Sequence, residues 1–280
     1  MKKSLYILAA LSILLSFSCT PQRKLTIIHY NDTHSHFEPL RGGVENEGMG
    51  GVIERAVYID SVRKAEGPEN VLLLHAGDFG QGTSYFTVLE GDLEIATINA
   101  MKYDVVCLGN HEFDNGLDEM ARRLSMLNCP VICSNYDFSK FEVGKYIRPY
   151  AVVEKAGLRI GLFSLLTDVT RMVERSISKD MEKFDDVQTA QKWADYLRNE
   201  QRCDLVIALN HIGYEGEPFT DPDLAKATRG IDLIVGGHSH TFLEKMEYVT
   251  NLDGKRVPIV QDGCWGLYSG KITYLEDNAL

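Results

Sequence analysis

Five short apolar runs, each rich in Val, Ile or Leu and each ending in a polar motif, constrain this chain more than any other feature. Leu25-Thr26-Ile27-Ile28-His29-Tyr30 stops at Asn31-Asp32-Thr33-His34, and Val71-Leu72-Leu73-Leu74-His75 runs into Ala76-Gly77-Asp78. Asp104-Val105-Val106-Cys107-Leu108 ends at Gly109-Asn110-His111-Glu112, and Leu205-Val206-Ile207-Ala208-Leu209 at Asn210-His211. Ile231-Asp232-Leu233-Ile234-Val235 leads to Gly236-Gly237-His238-Ser239-His240. Continuous apolar runs of this length predict strands buried on both faces.

Helical periodicity fills the intervals. Val52, Ala56, Ile59 and Val62 share a face from near Gly51; Leu93, Ala96, Thr97, Ala100 and Met101 mark a second helix. Leu117, Met120, Ala121, Leu124 and Leu127 mark a third, and Val187, Ala190, Ala194 and Leu197 a fourth. The alternation predicts an α/β fold with a largely parallel core. Ala151–Glu154 and Leu158–Phe163, split by Lys155-Ala156-Gly157, read as a hairpin, and Val257–Gln261 and Lys271–Leu275 as late strands. Two packed sheets flanked by helices accommodate all of this. Ligands of open α/β sheets collect outside the carboxyl ends of the strands, so the five motifs are predicted to converge on one edge. The Gly-rich Arg41–Gly51 segment reads as a surface loop near that edge.

The donors at those ends are hard oxygens and imidazoles. Asp32 and His34, like His238 and His240, are two apart, so their side chains share a face at a strand end. Asn110 adds an amide oxygen and His211 a further imidazole, and Asp78 suits a bridge that offers one carboxylate oxygen to each of two cations. Such a set, without thiolate, favours two divalent ions of the Mn²⁺, Zn²⁺ or Fe²⁺ type. Taken singly, each motif has a plainer reading: a strand-end Asp caps a helix, and Gly-Asp makes a turn. His29, His36 and His75 read as packing or supporting residues, and Glu112 as a local hydrogen-bonding or surface acid.

The ends of the chain and its charge bound the rest. Lys2 and Lys3, the apolar Leu5–Leu15 stretch and Ser16-Phe17-Ser18-Cys19 read as a signal peptide over residues 1–18. Ser18 before Cys19 predicts lipidation of Cys19, with residues 19–24 as anchor and tether. Thr20-Pro21-Gln22 lacks an acidic cluster, which places the expected lipoprotein at an outer membrane, facing the periplasm. A net charge of −11 excludes non-specific binding to nucleic-acid polymers, which needs a basic surface. Cys107, Cys129, Cys133, Cys203 and Cys264 read as free thiols with at most one disulfide, and no C-x-x-C pair appears.

With its blocks His29–His34, Ala76–Thr83, Leu108–Asp114, Gly236–His240 and Val260–Gly266, the chain resembles the calcineurin-like binuclear metallophosphoesterases. The likeness is to the amino-terminal catalytic domain of exported bacterial 5′-nucleotidases. It implies a four-layer α-β-β-α sandwich over residues 25–280. It assigns Asp32, His34, Asp78 and His240 to one metal, and Asp78, Asn110, His211 and His238 to the other. It places His111 beside the scissile phosphate with Asp114 holding that imidazole protonated. The implied reaction is hydrolysis of nucleotide-type phosphate monoesters by water that the metal pair activates. Two departures stand out. Some members carry glutamine where this chain has His240, and residues 25–280 are expected to form the catalytic domain without a carboxyl-terminal domain of the kind that supplies nucleobase and phosphate contacts. A separate partner chain, or recognition by the metals and local loops alone, would answer the second. Phosphodiesters, nucleotide sugars and thiosulfate esters are the alternative substrates, and a non-catalytic binding subunit is the alternative outside enzymes.

Overall fold

The computed structural model describes residues 23–170, 175 and 179–276. The expected signal peptide and Cys19 lie outside these residues.

Two six-stranded sheets form the body. The first runs in the order Gly270–Leu275 (β14), Lys24–Tyr30 (β1), Val71–His75 (β2), Val105–Cys107 (β3), Val131–Ile132 (β4), Ile147–Arg148 (β6). The second runs Glu247–Thr250 (β12), Arg256–Val260 (β13), Leu233–Val235 (β11), Leu205–Leu209 (β10), Leu158–Phe163 (β8), Tyr150–Lys155 (β7). Interior pairings are parallel, while β14, β12 and β7 close the edges antiparallel. A small ladder joins Tyr136–Asp137 (β5) to Glu182–Lys183 (β9). β1 starts at Lys24, one residue into the expected tether, and Arg23 already pairs with Glu276.

Alternation along each strand divides the core into three layers. Ile28, Tyr30, Val71 and Leu73 face the helices Val52–Glu66 (α1), Asp92–Met101 (α3) and Gly116–Leu124 (α4). Leu25, Ile27, Leu72 and Leu74 face the other sheet, meeting Leu162, Leu205, Ile207 and Val235. On the far side Val206, Ala208 and Ile234 pack against Asp186–Asn199 (α5) and Asp221–Ala227 (α6). The result is helix, sheet, sheet, helix, with strands buried on both faces as their sequences require.

Local chemistry sets the boundaries. The α5 N-cap Asp185 accepts from the Gln188 amide at 2.8 Å, and α1 ends at Gly67, whose N–H reaches the Arg63 carbonyl. The β7–β8 hairpin turns on Ala156 and Gly157, both left-handed (φ 54° and 71°), the geometry of a two-residue type I′ turn. The third helix stops at Leu124 rather than Leu127, although Leu127 still packs in the same layer. Two short helices went unread in the sequence, α6 and Ser84–Leu89 (α2). Residues 41–48 are exposed, and the loop is closed at its base by the Leu40 N–H to the Met49 carbonyl and by the Pro39–Gly50 bridge. All five described cysteines are free, so the permitted disulfide is absent among them.

Candidate metal centre

The five motifs do converge, at the carboxyl ends of β1, β2, β3, β10 and β11. Two groups of donors form there: Asp32, His34 and His240, and Asp78, His211 and His238. Within each group the donor atoms lie within 4.8 Å of one another. Asn110 stands beside the second group; its side-chain oxygen is buried and has no hydrogen-bond partner. Each group draws on both sheets, so the inter-sheet core sets the distances between donors.

Asp32 Oδ1 faces His240 Nε2 at 3.3 Å, His34 Nε2 at 3.7 Å and His211 Nε2 at 3.9 Å. The Nε2 atoms of His34 and His240 approach to 2.9 Å from opposite sheets. Asp78 Oδ1 accepts from the His111 amide at 2.9 Å, leaving Oδ2 to face both His211 (3.0 Å) and His34 (3.8 Å). Asp78 thus presents Oδ2 to donors of both groups, His211 and His34. His211 Nε2, though 3.0 Å from that carboxylate, has no aligned hydrogen-bond partner. A buried amide oxygen and a buried imidazole nitrogen without partners, beside clustered Asp and His donors, fit a divalent cation.

The imidazoles are oriented from behind. His211 Nδ1–H donates to the Ala76 carbonyl at 2.6 Å and His34 Nδ1–H to the Gly80 carbonyl at 3.3 Å, which turns each Nε2 toward the site. Asn31 and the His238 amide hold the Asp32 carboxylate. Gln261 accepts from Thr241 N–H and donates to the Gly237 carbonyl, which fixes the His238–His240 turn. Glu217, unremarked in the sequence, sits 3.2 Å from His238 Nε2. Behind the first ligand loop, Thr33 hydroxyl meets buried His75 and Ser35 hydroxyl donates to buried Glu94.

Glu112 is neither a surface acid nor merely local. It is buried and accepts from four backbone amides: Gly109 (2.6 Å), Asp78 (2.9 Å), Phe79 (3.0 Å) and Gly80 (3.2 Å). One carboxylate thus ties the Asp78 loop to the Asn110 loop. Burial and then the Asp78 charge push its pKa up, and the Gly109 and Gly80 amides pull it back.

The backbone is strained where the ligands sit. Asp32, His34, Asp78, His238 and His240 all have φ between 44° and 81°, a region costly for residues with a side chain. Gly77 (φ 82°) is required outright, because a Cβ there would lie 2.6 Å from the Gly109 nitrogen and 2.7 Å from His211 Nδ1.

Charge follows geometry. Burial works against protonation of His211, but Asp78 and Asp32 outweigh it and raise the pKa to about 10. Asp32, then Cys264, raise His240 to about 10 as well. Burial instead lowers His34 and His238. Asp78 is held below the usual carboxylate range: burial opposes this, and His211, His34 and His111 overcome it. His111 Nδ1 lies 2.8 Å from Asp114 Oδ2, and this hydrogen bond raises its pKa against partial burial. His34, His36, Gln81, His111, His240 and Trp265 are among the residues lining a cleft of about 570 Å³ over the donors.

A two-sheet α/β sandwich with paired Asp/His groups at its strand ends is the architecture of a metal-dependent phosphoesterase. The chain belongs to the Calcineurin-like phosphoesterase family, which it matches over residues 25–242. It is 32% identical to the snake venom 5′-nucleotidase of Naja atra over 276 residues, covering 91% of this chain and 51% of that one. A 5′-nucleotidase precursor from Thermus thermophilus superposes with a TM-score of 0.79 at 33% identity, over 89% of this chain and 51% of its own. The NAD nucleotidase of Haemophilus influenzae superposes at 0.78 with 28% identity, over 90% and 47%. The chain spans about half the length of these relatives. Among the described residues no helix is long and apolar enough to cross a membrane.

Proposed function

We propose that this phosphoesterase hydrolyses nucleotide-type phosphate monoesters, using two divalent ions of the Mn²⁺, Zn²⁺ or Fe²⁺ type. Asp32, His34, Asp78 and His240 would hold one ion, and Asp78, Asn110, His211 and His238 the other. The observation that carries this reading is the pair of Asp/His groups facing each other across Asp78 Oδ2. Ions in such a site polarise phosphoryl oxygens and lower the pKa of water.

The chain's own residues do the rest. Asp32 and Asp78, oriented by Asn31, the His238 amide and the His111 amide, supply fixed negative charge. His111 lies on the cleft wall, its ring 5.3 Å from that of His34, and the hydrogen bond to Asp114 favours its protonated form. It is placed to give its proton to the departing alkoxide, or to hold charge that builds on the phosphoryl group. The 5′-nucleotidase names of the relatives support nucleotides as the substrate class.

Export as a lipoprotein through Cys19 belongs to the same proposal, supported by Lys2, Lys3, the apolar stretch and Ser18-Cys19. Fatty-acid labelling that persists in Cys19→Ser would remove it. The catalytic reading is tested by metal analysis of purified protein and by release of phosphate from adenosine 5′-monophosphate. Activity abolished by chelation and restored by Mn²⁺ is expected. No bound metal and no hydrolysis with any of the three ions would overturn it.

A further inference from the structure

Trp265 is an exposed aromatic at the mouth of the cleft, 37% accessible, on a chain whose other large rings are mostly covered. Its indole stacks on the imidazole of His36, centroids 4.8 Å apart and planes 19° from parallel. Both rings are fastened to the first ligand loop. The Trp265 amide donates to the Asp32 carbonyl at 2.7 Å, and His36 Nδ1–H donates to the His34 carbonyl at 2.8 Å. Trp265 also holds a left-handed backbone (φ 61°), an unfavourable conformation for a bulky residue that the Asp32 contact stabilises. Arg55 donates to the His36 carbonyl and steadies the other side.

We propose that the Trp265–His36 pair is a stacking ledge for the flat organic part of the substrate, and that Trp265 determines specificity for esters carrying a nucleobase. This rests on the phosphomonoesterase reading above and deepens it. A phosphoryl group held at the donor groups leaves its organic part to extend along the cleft, whose lining includes Trp265. An indole offers a π-face to any base without demanding a particular hydrogen-bond pattern, so the ledge selects for planarity and not for one base. Its position relative to the ligands is fixed because it shares their backbone hydrogen bonds.

The experiment has two arms. In the first, wild type, Trp265→Leu and Trp265→Phe are compared on adenosine 5′-monophosphate and on ribose 5-phosphate with Mn²⁺. Loss of the π-face should lower kcat/KM for the nucleotide about tenfold or more, mainly through KM. Ribose 5-phosphate should change less than about twofold, and Trp265→Phe should recover most of the loss. Equal losses on both substrates, or no loss on either, overturn the ledge. In the second arm, adenosine is titrated into metal-free Trp193→Phe protein, where Trp265 is the remaining tryptophan. Saturable quenching of its fluorescence, not given by ribose, supports the ledge even if the protein hydrolyses no nucleotide. Hydrolysis without quenching, together with an unselective Trp265→Leu, leaves the enzyme reading standing and removes this one.

Discussion

Replacing Glu112 by Gln probes how the loops that carry Asp78 and Asn110 are held together. The carboxylate spends each oxygen on two amides: Oε2 on Asp78 and Gly109, Oε1 on Phe79 and Gly80. Glutamine keeps shape and volume but turns one of those acceptors into a donor, so two buried N–H groups lose their partner. Hydrogen bonds to a charged acceptor contribute about 1.5–3 kcal/mol each, giving about 3–6 kcal/mol for the pair. Removing a buried charge returns part of its desolvation cost, so about 3 kcal/mol is the expected net loss. At this chain length that corresponds to a fall in Tm of about 6–12 °C. The measurement is thermal unfolding in EDTA, since bound metal would stabilise the folded state by mass action and mask the difference. Glu112→Ala, which orphans all four amides, should fall further. A Glu112→Gln melting point within about 2 °C of wild type would refute the four-amide clamp.

Asp78→Asn should lower both bound metal and turnover, read by elemental analysis and phosphate release; wild-type values for both would defeat its bridging role. Metal loading should release protons, because His211 and His240, each raised to about 10, are protonated in metal-free protein near pH 7.5 and must be neutral to coordinate. Calorimetry in buffers of different ionisation enthalpy should report about two protons per chain and Mn²⁺ affinity that rises with pH; no release would contradict it. The same two shifts contribute stability to the chelated protein that is fully present below about pH 6.5 and is lost as pH rises through about 10, read by unfolding of His211→Gln against wild type across that range. Asp114→Asn removes the carboxylate charge that, with its hydrogen bond, raises His111, so the alkaline limb of kcat/KM should move to lower pH, and an unmoved limb would end the imidazolium role.

The ligand positions were legible because each rests on local information: a buried strand, then a turn, then a donor. The donor side chains Asp32, His34, Asp78, His211, His238 and His240 are readable this way, and the sheet edge brings them into two groups, with Asn110 beside them. What surrounds them was not legible, because it depends on contacts between remote segments. Glu94 reaches Ser35 across 59 positions, Asn31 reaches Gly263 across 232, and Glu217 reaches His238 across 21. Glu112 carried a partial signal, standing three residues after Gly109, but its hold on residues 78–80 is invisible until the sheet is built. The missed α6 had a readable start: Pro222 in its first turn and Thr220 bonded to Asp223 at 2.7 Å. Its brevity concealed it, since seven residues show too little periodicity.

The strain and the long-range network answer to each other. Five of the seven proposed ligands sit in left-handed backbone, at about 1 kcal/mol or more apiece. Together that is about 5 kcal/mol, comparable to the whole stability of many domains. Local sequence offers nothing to offset it, because none of the five is glycine. The offset comes from groups that bind these loops from elsewhere: Glu112 on the amides of residues 78–80, Asn31 and the His238 amide on Asp32, and Gln261 on the 237–241 turn. The donors of each group come from both sheets, and one of these contacts, the His238 amide on the Asp32 carboxylate, also ties one sheet to the other. The spacing of the donor atoms in this fold is therefore a property of the inter-sheet packing as much as of the donor residues themselves.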